Sequence, residues 1–180
     1  MKNILVLTVI LLSQSLFAQK YFTRTGITNF KASVEAFEPV EATNKSTSVV
    51  LKTDTGEIAA LLLVKAFQFR VALMQEHFNE NYMDSDSYPK ATFKGVIKDF
   101  DFSQINSKKE YIIKGKLTVR GVDKEIETKA KLSNTGNQII LTSNFSVTPQ
   151  DFNIKIPSIV KEKIAKTINV SLNYELNEKK

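Results

Sequence analysis

Residues 111–132, YIIKGKLTVRGVDKEIETKAKL, alternate between apolar and polar side chains over two successive runs. The inward set of the first run is Tyr111, Ile113, Gly115, Leu117 and Val119. The inward set of the second run is Ile126, Thr128, Ala130 and Leu132. Because successive side chains of a strand point to opposite faces, this pattern predicts a half-buried antiparallel hairpin. The predicted turn is Gly121-Val122-Asp123.

The rest of the chain continues the same pattern on either side of this hairpin. Further strands are predicted at about residues 21–33, 46–53, 57–69, 90–98, 139–147 and 168–176. Residues 37–45 and 148–166 are predicted to be irregular, and the spacing of Val71, Met74, Phe78 and Tyr82 predicts a helix over 71–82. The fold class is therefore all-β and mainly antiparallel, with about eight strands and one short inserted helix. Such strands protect their edges by closing into a barrel or a sandwich.

The N-terminus has the features of a secretory signal. Lys2 precedes an apolar run over residues 4–12, and a cleavage site is expected near Ala18. The run is too short to span a bilayer. We therefore expect a signal peptide over 1–18, one domain over 19–180, and a periplasmic or secreted mature protein.

Composition excludes several classes of function. The chain has no cysteine, which rules out disulfides, thiolate catalysis and cysteine-ligated metals. Its net charge is +6, but the lysines alternate with inward residues along strands, as on the solvated exterior of a barrel. We expect no nucleic-acid partner and at most peripheral contact with a membrane.

Candidate catalytic and metal-binding residues are few. His77 is the only histidine, which argues against a nucleophile activated by histidine, and it is expected at the surface or at a rim. Asp84 and Asp86 lack the glycine and the final glutamate of a calcium loop. We predict no catalytic residue, no metal site and no cofactor.

The predicted strand over 57–69 is apolar on both faces. Ile58, Ala60 and Leu62 form one face, and Ala59, Leu61 and Leu63 form the other. A strand with two apolar faces is expected to be covered on both. The second cover is a helix, a loop or another subunit, which leaves a homodimer open.

Three segments resemble the YceI-like family. YPKATF at 88–93 is similar to its Tyr-Pro-x-x-x-Phe element, and GKLTVRGVDK at 115–124 resembles its Gly-x-Leu-Thr-x-x-Gly-Val-x-Lys hairpin. DFNI at 151–154 is similar to its Asp-Phe-Gly-Ile element, with Asn153 in place of glycine. The resemblance implies a lipocalin-like β-barrel that carries a polyisoprenoid, quinone-like or other long-chain lipid. Where the family commonly has a histidine before the helix, this chain has Glu76.

Such a site is expected to be lined by apolar residues and to hold its ligand through burial of hydrocarbon. The predicted lining residues are Phe67, Phe69, Met74, Phe78, Tyr82, Phe93, Tyr111, Ile113, Leu117 and Phe145. Gly95 and Gly115 face inward and either make room in the lumen or mark bulges. The alternative function is an interaction or structural barrel with a filled interior and no ligand.

Overall fold

The computed structural model describes residues 19–106 and 110–179, so the expected signal peptide lies outside the described residues. Its strands are β1 (Lys20–Ser33), β2 (Glu41–Lys52), β3 (Glu57–Leu63), β4 (Gln68–Phe69), β5 (Lys90–Ile97), β6 (Tyr111–Val119), β7 (Val122–Asn134), β8 (Gln138–Val147) and β9 (Ile164–Glu178). Helix α1 (Ala72–His77) continues into a π-helical turn, Phe78–Tyr82. Among the described helices, none has the length and apolar character needed to cross a bilayer.

The strands close into an eight-stranded antiparallel barrel. The order around it is β1-β9-β8-β7-β6-β5-β3-β2, and β2 pairs back with β1. The two-residue strand β4 is an addition that pairs with the start of β2. The barrel and its short helix confirm the predicted fold class.

The hairpin that decides the fold pairs β6 with β7 without a register shift, from Tyr111 opposite Ala130 to Val119 opposite Val122. The predicted turn was wrong by one residue, because the turn is Arg120-Gly121. Both residues have positive φ, +50° and +72°. Two central residues of this kind match the right-handed twist of the flanking strands.

Other boundaries also differ from the prediction, and β9 begins at Ile164, inside the segment predicted to be irregular. β2 begins at Glu41, inside the predicted loop. The prediction missed this start because Asn44 is a buried polar residue that interrupts the apolar alternation. β3 ends at Leu63, where the chain forms a 3₁₀ turn, Val64–Ala66. The Asn44 side chain fills the gap that β3 leaves by donating to the Leu63 carbonyl at 3.0 Å.

The end of the barrel that holds the start of β1 and the end of β9 is filled by packed side chains. The 3₁₀ turn Phe102–Gln104 lies across it, and the ring of Phe102 packs 5.7 Å from that of Tyr21. Leu51, Ile97 and Leu176 are at most 1% exposed in the core behind it. We call this the closed end; the opposite end carries α1, the β6–β7 turn and residues 148–163.

The outer apolar face of β3 is not covered by any other described residues, so of the expected covers neither a helix nor a loop is found there. Leu61 and Leu63 are 37% and 49% exposed, and Val50 and Val96 on the neighbouring strands are each 41% exposed. Ala59 lies between them on the same outer face. Together these five residues form an outer patch that faces solvent in the single chain.

Candidate functional site: the barrel cavity

The half of the barrel opposite the closed end contains a cavity of about 420 Å³. All eight barrel strands contribute inward side chains to it, as do α1, the π-helical turn and residues 148–163. Its volume lies in the usual range for small-molecule sites, about 300–1,000 Å³. The interior is therefore filled at one end and hollow at the other.

The structure places the predicted lining residues as follows. Those that border the cavity are Phe67, Phe69, Met74, Phe78, Tyr82, Phe93, Ile113, Leu117 and Phe145. Tyr111 does not border it, and this placement corrects the prediction. Its ring faces inward as expected but packs 6.0 Å from that of Phe100, in the filled closed end. Alternation along β6 identifies inward residues but does not show where along the barrel the filling stops.

Four phenylalanines form an aromatic cluster at the mouth of the cavity. Phe78 packs against Phe30, Phe67 and Phe69 with ring centroids 5.3, 5.7 and 5.1 Å apart. Phe30 also contacts Phe67 at 5.2 Å. Such aromatic contacts stabilise the π-helical turn against the barrel wall.

Phe30 was missed by sequence analysis, and a bulge in β1 explains why. The pairing of β1 with β2 shifts register on both sides of Gly26. Tyr21 and Thr23 are buried before the bulge and Thr28 after it, so the inward set changes from odd to even positions. A fixed period of two puts Phe30 on the wrong face, and a break in alternation at Gly26 is the signal that would have found it.

The helical segment forms one side of the mouth. Met74, Phe78 and Tyr82 follow at spacings of four residues and border the cavity together. The Phe69 amide donates to the Gln75 side chain at 3.2 Å, which ties α1 to β4. His77 also borders the cavity at its exposed mouth, in agreement with the rim position expected for it.

Residues 148–163 form the other side of the mouth. Thr148 caps a 3₁₀ turn, Pro149–Phe152, in a reciprocal arrangement with Asp151, and Phe152 is 2% exposed beneath it. Asn153 ends the turn in the left-handed conformation, with φ +56°. Asparagine tolerates this conformation better than most residues, so it serves here where the family's element has glycine.

The three segments quoted for the family resemblance meet in space at this rim. The Arg120 guanidinium lies 5.8 Å from the centre of the Tyr88 ring and donates to the Asn153 carbonyl at 3.1 Å. Tyr88 also packs against Gly121, where a Cβ would lie 2.7 Å from its ring. Tyr88, Arg120, Gly121 and Asn153, with the ion pair described next, form the rim cluster, whose role is to hold three loops together.

An ion pair completes the rim cluster. Lys124 Nζ lies 2.6 Å from Asp151 Oδ1, and the Thr148 amide donates to the other carboxylate oxygen at 3.2 Å. The hydrogen bond from Lys124, followed by those from Thr148, lowers the pKa of Asp151 below its ordinary value. The Asp151 carboxylate therefore forms part of the N-terminal cap of the 3₁₀ turn, and this cap favours its charged form.

Gly95 and Gly115 neither enlarge the cavity nor mark bulges. They pair directly across β5 and β6 within a continuous register. A Cβ on Gly115 would lie 2.4 Å from the Gly95 Cα and 2.8 Å from Cζ of Phe93. The two glycines therefore make room for the Phe93 ring, which folds back over both strands.

Several of the polar groups on the cavity wall lie near its floor. Thr28 Oγ1 lies 2.8 Å from Thr47 Oγ1 and 2.9 Å from the Tyr174 hydroxyl. Burial raises the pKa of Tyr174 to about 12, so its phenol stays neutral. On another wall, Ser143 donates to the Lys129 carbonyl at 2.7 Å. Elsewhere the described lining is almost entirely hydrocarbon.

The chemistry available to the cavity is therefore that of apolar binding. His77 and Lys163 are the basic side chains among the described residues that border it, and both lie at the mouth. In the described part of the chain, no three histidine, aspartate or glutamate side chains come close enough to hold a metal ion. The wall can hold hydrocarbon by removing it from water.

Solved structures with the same fold are found in several bacteria. BcnA of Burkholderia cenocepacia has a TM-score of 0.71 at 17% identity, over 83% of this chain and 95% of that one. A polyisoprenoid binding domain from Saccharophagus degradans, implicated in plant cell wall breakdown, has a TM-score of 0.74 at 13% identity, over 89% and 98%. The Campylobacter jejuni YceI protein has a TM-score of 0.66 at 18% identity, over 80% and 88%.

No curated protein matches the sequence. The model of the YceI-like domain, in contrast, matches residues 14–176, which is nearly the whole chain. This match extends from before β1 to near the end of β9 and includes the segments that build the rim cluster. The chain therefore belongs to the YceI-like domain family.

Proposed function

We propose that the protein is a non-catalytic carrier that holds a polyisoprenoid, quinone-like or other long-chain lipid in the barrel cavity. The observation that carries this proposal is the continuous apolar wall of the cavity, contributed by every barrel strand. Burial of several hundred Å² of hydrocarbon stabilises a complex by roughly 10 kcal/mol before ordering costs. No reactive group has to be positioned for such a function.

Two further considerations support the same proposal. A solved structure of the same fold is described as a polyisoprenoid binding domain. The signal expected over residues 1–18 would export the chain, so we propose that it acts in the periplasm or after secretion. A lipid that travels between membranes through water needs a carrier of this kind.

The alternative, an interaction barrel with a filled interior, is not favoured by the structure. Filling is limited to the closed end, where Phe102 and its neighbours pack against Tyr21. A barrel that served only as a scaffold would gain stability from filling the other half as well, since empty apolar volume is costly.

Native mass spectrometry and solvent extraction of the purified protein test the proposal. We expect one lipid molecule per chain, or stoichiometric uptake of an added prenyl quinone. Recovery of no lipid together with no uptake would refute the carrier function.

A matched pair of variants locates the lipid. Ala91 borders the cavity, whereas Ala59 lies on the outer face of the neighbouring strand. We expect Ala91→Phe to lose most of the bound lipid because the added ring occupies the cavity. Ala59→Phe adds the same ring outside the barrel and is expected to keep its lipid. Equal lipid content in the two variants would place the binding site elsewhere.

A further inference from the structure

The floor of the cavity lies where the hollow half of the barrel meets the filled half. Ile58, Ile113, Leu141 and Tyr174 border the cavity and also belong to the buried core, which fixes the depth of the floor. Beside Tyr174, Thr28 and Thr47 also border the cavity and are only 5% and 1% exposed. We call Thr28, Thr47 and Tyr174 the hydroxyl trio.

The hydroxyl trio has one more donor than it uses. Three hydroxyl groups bring three protons, and two are used in the hydrogen bond between Thr28 and Thr47 and the hydrogen bond between Thr28 and Tyr174. With the described residues the trio forms no other hydrogen bond. One proton is therefore left without a protein acceptor in an apolar surrounding, where an unpaired polar group is costly.

We infer that the hydroxyl trio binds an oxygen atom at the leading end of the lipid, so that the lipid enters polar end first. The inference rests on the proposed function and adds an orientation and a ligand class to it. The hydrocarbon tail then runs from the floor towards the aromatic cluster at the mouth.

The oxygen is that of a neutral group, such as an alcohol, a phenol or a quinone carbonyl. His77 and Lys163, the cationic groups among the described lining residues, lie at the mouth and not at the floor. A phosphate or carboxylate at the floor would be buried without a counter-charge, which is strongly unfavourable. The neutral phenol of Tyr174 suits a neutral oxygen as donor or acceptor.

A purely structural role for the trio makes a different prediction. Its residues lie on β1, β2 and β9, so its hydrogen bonds also tie together the strands that close the barrel. If that were their whole role, removal of one hydroxyl would lower stability but would not change the preference between ligands.

Binding of 1-hexadecanol and of hexadecane separates these roles, because the two probes share a tail and differ in one hydroxyl. The wild type and Thr28→Val, which keeps the side-chain shape, are compared by the ratio of the two dissociation constants. We expect the preference for the alcohol to fall by about five- to tenfold in the variant, the usual worth of a net hydrogen bond. Affinity for hexadecane is expected to stay unchanged.

Thr128→Val is the matched control. Thr128 also borders the cavity, but its hydroxyl contacts Ser143 at 3.2 Å, outside the trio, and its variant is expected to keep the wild-type ratio. An unchanged ratio in Thr28→Val, or an equal loss of both ligands, would overturn the inference and leave the carrier function standing. If the wild type bound neither ligand, the carrier function itself would fall.

A second measurement uses the wild type and does not depend on how the variants fold. A hexadecanol that carries a photoreactive diazirine beside its hydroxyl is bound and irradiated. Crosslinks to peptides that contain Thr28 or Tyr174 are expected. Crosslinks to Phe78 and Phe145 at the mouth instead would show that the polar end faces outward and would overturn the inference.

Discussion

Asn44 shows how a single polar residue can be required by the fold. It is fully buried, donates to the Leu63 carbonyl at 3.0 Å and accepts from the Ser46 amide at 2.8 Å. The Leu63 carbonyl and the Ser46 amide contact Asn44 in the part of β2 that lies between its pairing with β4 and its pairing with β3. A hydrophobic residue at this position would leave both without partners.

We therefore expect Asn44→Leu to lower the free energy of unfolding by about 2 kcal/mol, because the part-buried Leu63 carbonyl and Ser46 amide both lose their partner. Urea denaturation measures the change. Ser46→Ala is the control, since its exposed hydroxyl contacts the same Asn44 oxygen at 3.1 Å and its loss should cost less than about 0.5 kcal/mol. Similar losses in the two variants would contradict this account of Asn44.

At the same scale, sequence patterns identified nine residues of the cavity wall but not its polar floor. Phe93, Leu117 and Phe145 were predicted because apolar alternation places them inward. Thr28 and Thr47 were missed because a buried threonine cannot be told from an exposed one by hydropathy. Their burial depends on three strands that meet only in the closed barrel.

At the scale of elements, regular strands were predictable and irregular ones were not. β6 and β7 have no register shift, so their alternation is complete and the whole pairing could be predicted. β1 changes its inward set at a bulge, and β2 has a buried asparagine, Asn44, near its start. In both, local sequence is less decisive than long-range pairing, which a single sequence does not reveal.

The 3₁₀ turn capped by Asp151 is predicted to be sensitive to acid. Its hydrogen bonds with Lys124 and Thr148 hold the pKa of this carboxyl below the ordinary value of 3.8. A folded-state pKa that is lowered gives stability above the unfolded value, and this stability is lost as the pH falls through the folded value. We therefore expect the midpoint temperature of unfolding to decrease as the pH is lowered below about 4.

Thermal unfolding of the wild type and Lys124→Gln between about pH 6 and pH 3 measures this effect. Asp123 and Glu127 also have a lowered pKa, mainly through hydrogen bonds from Lys116 and Lys98. Both proteins share that background, so the variant should lose less stability in acid than the wild type. Parallel curves would show that the ion pair with Asp151 contributes nothing to the rim.

At the scale of the whole molecule, the outer patch around Leu61 predicts self-association. Its exposed side chains lie on the outer faces of β2, β3 and β5, and they face solvent in the described part of the chain. Exposed apolar patches commonly mark interaction surfaces. A homodimer would cover the second apolar face of β3 that the sequence pattern implies.

We expect light scattering to give the mass of a dimer for the wild type and of a monomer for Leu63→Lys, because a buried unpaired charge opposes association. Lipid content should be the same in both, since Leu63 is 49% exposed on the outer face and does not border the cavity. Ser146→Lys, on the exposed outer face of β8, is the control and should stay dimeric. A monomeric wild type would leave the patch without this role.

The packed closed end has a consequence for traffic through the barrel. A barrel with one open end takes up and releases its lipid through the same mouth. The donor and the acceptor of the proposed lipid must therefore contact that mouth one after the other. Dissociation then requires transfer of the whole tail into water, which costs about 0.8 kcal/mol for each methylene. Each added carbon therefore makes dissociation about fourfold slower. A long-chain lipid would therefore dissociate extremely slowly unless an acceptor contacts that mouth.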